Sequence, residues 1–396
     1  MPRAVYILAL GIFAMVTSEF VVAGLMPQMA TGLGATIPQI GYLITAFAAA
    51  MAFGGPLLNI VLLKIRPRRA LLSLFAIFLL GNLLAATAVG YGVMVVARVT
   101  TGVASQAFFG VALSLAAQLT RPEIRGRAFA VVMNGLMLGT LLGMPLSTLV
   151  GEEFGWRAAF WTISGLAVVA ALCTLAGVPD LDSAKEEGDF RQELGVFRKP
   201  KLWLVLLTSM FIIGGTFTAF SYFNPILTQV SGFQTGTVPL LLVAYGAATV
   251  VGNTIVGRFA DRYPVRVLLI GLVLNVGFLT GFALLAHLSV AAVLFMLGIG
   301  LVGVTMNPAM ITRVHRTANA RPLVNTVHSS FITIGVMIGS WGGGVAIGHF
   351  GLRAPLWLGA ALAVVGVLTL VPDLVSRRAA DSPAQPVDSA QPATTV

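Results

Sequence analysis

The sequence predicts an all-α membrane protein: twelve transmembrane helices in two six-helix, pseudo-symmetric bundles. Three observations predict it. Of the 396 residues, 57% are hydrophobic and 10% charged, too few charges to solvate the surface of a water-soluble fold of this size, where about 25% is usual. Apolar stretches of about 20 residues, the length needed to cross a bilayer, recur twelve times along the chain. The second half also repeats the first at a nearly fixed offset.

The first six spans are read at residues 4–27, 38–63, 70–89, 92–119, 127–150 and 158–178. The second six are read at 202–229, 238–260, 266–286, 289–313, 323–348 and 354–375. Segment 179–201 is the one long polar loop, with Asp180, Asp182, Glu186, Glu187, Asp189 and Glu193 among its bases. It reads as a cytoplasmic linker, which divides the chain into an N-terminal bundle (1–178) and a C-terminal bundle (202–375). The Ala/Pro/Ser/Thr-rich tail, 376–396, has the composition of a disordered segment.

The net charge is +10, and its distribution explains it. Twenty-one of the 24 Lys and Arg residues flank the same side of the spans, Arg157 and Arg353 flank the other, and Arg98 lies within a span. Basic loops mark the cytoplasmic side, so both termini are expected in the cytoplasm, with the protein in the cell inner membrane. A nucleic-acid role would need a basic patch with stacking aromatics, and no such pattern is present. The apolar N-terminal run is longer than a signal-peptide core, contains Glu19 and has no convincing cleavage site, so it reads as a retained first span.

Cys173 is the single cysteine and reads as a small buried hydrophobe. No glycine-rich loop ends in Lys-Ser or Lys-Thr, so no ATP-driven motor is expected. No His pair has metal-ligand spacing, and no nucleophile–base set emerges; neither an enzyme nor a cofactor is expected.

The repeat is legible in three places. Phe154-Gly-Trp-Arg157-Ala-Ala-Phe-Trp161 recurs as Phe350-Gly-Leu-Arg353-Ala-Pro-Leu-Trp357. Lys64-Ile-Arg-Pro67-Arg-Arg69-Ala-Leu-Leu72 recurs as Asp261-Arg-Tyr-Pro264-Val-Arg266-Val-Leu-Leu269. Gly139, Gly143 and Ser147 recur as Gly335, Gly339 and Gly343. The registers agree within one residue. Parallel repeats of this kind place a substrate site near the bilayer midplane, between the halves.

Two ionisable residues fall inside spans. Glu19, in Thr17-Ser18-Glu19-Phe20, would cost roughly 2.5–3.5 kcal/mol to insert, and intramembrane charges of this kind usually serve transport. It reads as the proton carrier; the structural alternative is a protonated Glu bonded to a neighbouring helix. Arg98 shares a helical face with Thr101, Gly102 and Ser105. Its guanidinium stays charged and offers five donors. It reads as a fixed cation that tunes Glu19 or binds helix carbonyls, or as a structural Arg near the rim of its span.

These residues carry a resemblance. Thr17-Ser18-Glu19-Phe20 with Gly24-Leu25-Met26-Pro27 stands in span one, and Arg98-x-x-Thr101-Gly102 in span four. Gly139-x-x-x-Gly143-x-Pro145 stands in span five, followed by Phe154-Gly-Trp-Arg-Ala-Ala-Phe and Gly257-Arg-Phe-Ala-Asp261-Arg262. In this order the chain resembles the major facilitator superfamily over residues 4–375. Within it, the chain is similar to the twelve-span drug/proton antiporters near the arabinose-efflux-permease and chloramphenicol-exporter group. The Gly-x-x-x-Asp-Arg loop motif is intact after span eight but degraded after span two, where Ile60 and Lys64 stand in register with Gly257 and Asp261. Span five also carries Ser147 where relatives often have glycine.

The resemblance implies roles for further residues. Gly139, Gly143 and Pro145 would form the antiporter signature at the interface of the halves, although plain helix packing explains their spacing equally well. Gly257, Asp261, Arg262 and Arg266 would form a cytoplasmic gate latch. Tyr222 and Asn224 in span seven, and Met306 and Asn307 in span ten, would line the substrate cavity with Thr101 and Ser105. Pro225 and Pro308 mark bends. His328 is a candidate proton relay, its unperturbed pKa being about 6.5, or a helix–helix hydrogen bond.

The resulting expectation is a proton-coupled exporter of small lipophilic drugs, phenicols among them, working by alternating access. The expected partners are a small-molecule substrate, protons and the lipid bilayer, with the chain acting as a monomer. A metabolite exporter of the same fold, or a passive facilitator or receptor, are the alternatives.

Overall fold

The computed structural model of the chain describes residues 2–62, 65–121, 124–181, 195–318 and 322–373. Most of the linker and the whole 376–396 tail lie outside the described residues, as does Lys64. Among the described residues twelve helices are long and apolar enough to cross a membrane. The first six are α1 (Arg3–Leu33), α2 (Ile37–Leu62), α3 (Pro67–Ala86), α4 (Tyr91–Gln118), α5 (Arg125–Phe154) and α6 (Trp156–Gly177). The second six are α7 (Pro200–Gln229), α8 (Thr235–Ala260), α9 (Pro264–Leu285), α10 (Ser289–Thr317), α11 (Leu323–Phe350) and α12 (Ala354–Asp373). The fold is all-α, as the hydropathy pattern predicts, and the protein is a multi-pass membrane protein.

Local chemistry sets the helix ends. α1 stops at Gly34, whose φ of 59° is left-handed and costs glycine little. α2 starts three residues later with a capping box. The Thr36 hydroxyl accepts from the Gln39 N–H at 3.3 Å, and the Gln39 amide accepts from the Thr36 N–H at 2.8 Å. α3, α7 and α9 begin on Pro67, Pro200 and Pro264, where a missing N–H is harmless.

Four interior prolines break the helices in one consistent way. A proline ring crowds the carbonyl four residues earlier and leaves it without its donor. Those carbonyls belong to Ala52 before Pro56, Leu141 before Pro145, Ser221 before Pro225 and Val304 before Pro308. Each lies in an irregular turn: π-helical at Ala50–Gly54 and Gly139–Gly143, open at 221–222, and 3₁₀ at Val304–Met306. The expected bends at Pro225 and Pro308 are there, and Pro56 adds one in α2. Pro27, by contrast, sits in an unbroken α1.

α1–α6 pack as one bundle and α7–α12 as another. Between the halves, α2 packs along α11, α5 against α8, and α1 against the last turns of α7. The glycine stripes use the same device in both repeats. A Cβ on Gly135, Gly139 or Gly143 would run into Ala9, Val16 or Thr17 of α1. A Cβ on Gly335, Gly339 or Gly343 would meet Met210, Gly214 or Tyr222 of α7. The α5 stripe therefore faces α1 within its own half, not the interface of the halves expected for the antiporter signature. Small residues at spacing four define a helix face but not its partner. Across the halves, Leu141 of α5 packs onto Gly246 of α8.

Candidate functional site

Glu19 lies midway along α1, at the level where the halves meet. Its neighbours are pinned. The Ser18 hydroxyl donates to Oδ1 of buried Asn82 on α3 at 3.1 Å, and the Asn82 amide donates to the Phe78 carbonyl at 2.9 Å. Arg98 of α4 is almost fully buried, at 1% exposure. Its Nη1 donates to the Ser18 carbonyl at 2.7 Å and its Nη2 to the Glu19 carbonyl at 3.2 Å. Each carbonyl has a second lone pair, so α1 stays helical while it accepts both bonds. The guanidinium also stacks over Phe47 of α2, 4.1 Å from the ring centroid. Its Nε has no partner.

Arg98 thus holds the backbone of α1 and leaves the Glu19 carboxylate unpaired. Among the described residues no donor bonds that carboxyl, although Arg98 is the charge within electrostatic reach of it. The carboxyl opens onto a narrow gap between the halves with room for about one water. Phe20 and Phe47 line it from the first half, and Phe217 and Phe220 from the second. Phe20 stacks on Phe217 at 6.1 Å and meets Phe220 edge-on at 5.5 Å. The aromatic wall continues through Tyr245 and Phe223. The site is one ionisable group on an aromatic surface split between the two bundles.

The other sequence-derived residues fall elsewhere. Thr101 and Ser105 are buried within the first half. The Thr101 hydroxyl donates to the Ala97 carbonyl at 2.9 Å, and that of Ser105 to the Thr101 carbonyl at 2.8 Å, with Met15 Sδ at 3.7 Å. Tyr222 and Asn224 belong to the closure at the end away from the chain's basic loops. Tyr222 donates to the Ser340 carbonyl at 2.6 Å, and its ring fills the space beside Gly41 of α2 and Gly344 of α11. The Asn224 amide crosses to the Gly24 carbonyl of α1. Met306 is buried against Gly271 within the second half, and Asn307 is exposed. His328 Nε2 pairs with the Ser209 hydroxyl at 3.1 Å, joining α11 to α7. Of the expected cavity residues, none lines the gap beside Glu19 in this state.

At the basic end, Gly257 stands in open space, while Asp261 Oδ1 accepts from Thr312 at 3.3 Å and its backbone carbonyl accepts from Arg316. Arg262 and Arg266 pack on Tyr263, at 5.1 and 5.5 Å, rather than on Asp261. These contacts stay within the second half. Where the loop motif is degraded in the first half, Arg66 pairs with Asp180 at 3.1 Å and Arg68 donates to the Leu175 carbonyl.

The sequence reading missed Phe47, Phe217, Phe220 and Asn82. A phenylalanine in an apolar span carries no mark separating gap from lipid. Asn82, an amide within a span, did carry such a mark.

The pattern that describes the Major Facilitator Superfamily matches residues 8–243 and 211–394. A chloramphenicol resistance protein of Streptomyces lividans is 33% identical over 379 residues, 94% of this chain and 96% of the relative. The inner membrane transport protein YdhP of Escherichia coli (strain K12) is 32% identical over 86% of this chain and 87% of its own. Among solved structures, a bacterial homologue of the lysosomal transporter Spinster, inward-facing and unoccupied, superposes with a TM-score of 0.75 at 14% identity, covering 95% of this chain and 96% of that one. A mutant of the nucleoside transporter NupG gives 0.76 at 17%, covering 93% and 98%. With two helix bundles meeting at a half-buried carboxyl and relatives matched nearly end to end, the chain belongs to the major facilitator superfamily and is a transporter of that family.

Proposed function

We propose that the protein is a proton-coupled exporter of small lipophilic drugs, with Glu19 as the proton carrier. The observation that carries this reading is the Glu19 carboxyl, unpaired and facing an aromatic gap between the halves. A carboxyl locked in a salt bridge would be a structural group; this one is held in place through its backbone and left open to a proton. Similarity to the Streptomyces lividans chloramphenicol resistance protein makes phenicols the first substrates to test. The apolar wall of Phe20, Phe47, Phe217 and Phe220 suits an aromatic lipophile better than a polyhydroxylated metabolite.

In this reading the basic end is cytoplasmic in the inner membrane, as the Lys and Arg bias requires, and both termini lie there. Closure at the opposite end, through Asn224 and Tyr222, then corresponds to a site sealed from outside. Substrate binds from the cytoplasmic side with Glu19 ionised, the halves rock, and a proton arriving from outside neutralises Glu19 and weakens substrate binding. One proton re-entering down a 100 mV inside-negative potential supplies about 2.3 kcal/mol, enough for more than tenfold accumulation of a neutral substrate outside.

The test is chloramphenicol efflux and resistance in an efflux-deficient host, for wild type and Glu19→Gln, with and without an uncoupler. Wild type is expected to export, the uncoupler to abolish export, and Glu19→Gln to insert normally but lose coupled efflux. Undiminished efflux in Glu19→Gln at normal membrane abundance removes Glu19 from the mechanism. Flux that ignores the uncoupler marks a facilitator.

A further inference from the structure

We propose that a cleft at the basic end of the second half binds a phosphate-bearing anion, the headgroup of an anionic lipid. The cleft, of about 370 Å³, opens where four helices end: Lys199 and Lys201 at the start of α7, Pro264 at the start of α9, Arg313 and Arg316 at the end of α10, and Asp373 at the end of α12. It lies well away from Glu19, on residues that the transport reading does not use. Its size is on the scale of small-ligand pockets, roughly 300–1,000 Å³.

The charges do not balance. Among the described residues four cations surround one carboxylate. Asp373 pairs with Lys201 at 2.8 Å and with Arg313 Nε at 2.9 Å. Arg313, itself buried, gives its Nη1 to Thr208 at 2.7 Å. Lys199 and Arg316 have no acidic partner among the described residues; Arg316 donates to a backbone carbonyl, that of Asp261. Two helix N-termini add to the positive field. α7 and α9 start at the rim with no capping side chain, so their first-turn N–H groups face outward with partial positive charge. The buried Arg313–Asp373–Thr208 contacts fix the floor, and Lys199, Lys201 and Arg316 on the rim are exposed.

A phosphate suits this site: its oxygens accept from guanidinium forks, ammonium groups and helix N–H donors alike. The location favours a lipid as the source. The cleft lies at the ends of apolar spans, the depth of headgroups, and basic pockets between transmembrane helices recur as anionic-lipid sites.

The test uses the full chain in neutral detergent, titrated with phosphatidylglycerol, phosphatidylcholine or inorganic phosphate at matched ionic strength. Melting temperature and native mass spectrometry are the readouts. The probe variant is Lys199→Gln/Lys201→Gln/Arg316→Gln, which leaves the buried Arg313–Asp373 pair intact. The comparison variant, Arg69→Gln/Arg121→Gln/Arg127→Gln, removes the same number of exposed charges elsewhere at the same end. Phosphatidylglycerol is expected to stabilise and stay bound to wild type, phosphatidylcholine not. Affinity should fall about fivefold for each cation removed from the cleft and far less in the comparison variant. Stabilisation by inorganic phosphate alone, lost in the cleft variant, keeps the phosphate site but makes its ligand soluble. Equal losses in the two triple variants, or no preference for phosphatidylglycerol, overturn the proposal.

Discussion

Arg98 separates two jobs that a buried charge can do. Its two strong bonds go to the carbonyls of Ser18 and Glu19, so it fixes where α1 sits rather than neutralising the carboxylate directly. Two parallel donors reaching neighbouring carbonyls need a planar fork, which lysine lacks. Arg98→Lys keeps the charge and loses one of the bonds. A hydrogen bond to a charged group contributes about 1.5–3 kcal/mol, so transport is expected to fall tenfold or more in Arg98→Lys with little change in membrane abundance. Full transport by the lysine variant would mean that charge alone is what the site uses. The two charges were legible in the sequence because ionisable residues in a span are conspicuous. The geometry between them was not, because whether a guanidinium meets a side chain or a backbone depends on how deep α4 sits beside α1. The hydroxyls of Thr101 and Ser105 share Arg98's helical face, as their spacing predicts, yet that face packs on neighbouring helices and not on the gap.

The elements divide by how their small residues and prolines are used. Bends at Pro145, Pro225 and Pro308 could be read from the sequence because a proline acts on its own helix. The partner of the α5 stripe could not, since the spacing of Gly135, Gly139 and Gly143 is the same whether they face α1 or α8. Ala for Gly normally favours a helix, by about 1 kcal/mol, so a loss of stability on that change isolates the clash. At Gly135 a Cβ would overlap the Ala9 backbone, and at Gly339 that of Gly214. Backbone cannot turn aside as a side chain can, and overpacking of this kind costs about 1–3 kcal/mol. Gly135→Ala and Gly339→Ala are therefore both expected to lower the melting temperature and the monodisperse fraction. Gly165→Ala, with open space around it, should match or exceed wild type. Equal stability across all three would show that α1–α5 and α7–α11 are looser than this packing implies.

At the scale of the whole molecule the duplication is structural but not chemical. In the repeat register, Glu19 corresponds to Gly215, packed against Gly359, and Arg98 to Leu294, which is exposed. At the gap the first half thus carries both charges and the two halves share the aromatic wall, so in the proposed cycle rocking one bundle on the other changes what the carboxyl faces. The closure away from the basic end is one place where the halves hold each other, and it rests on close approach. Tyr222 of the second half lies where a side chain on Gly41 of the first would have to go, and the Asn224 amide bonds the Gly24 carbonyl. Gly41→Val wedges this closure sterically, whereas Asn224→Ala removes a bond across it; both should shift the population toward the state open at that end. A shift of about 1.4 kcal/mol would change the open population tenfold while it is the minor state. In a Cys173→Ser background carrying Phe217→Cys as reporter, a membrane-impermeant thiol reagent added from that side should react about tenfold faster when either change is present. Ligand-free labelling rates that stay at the reporter's own baseline in both variants would place the seal elsewhere, at α5 and α8, where Leu141 rests on Gly246.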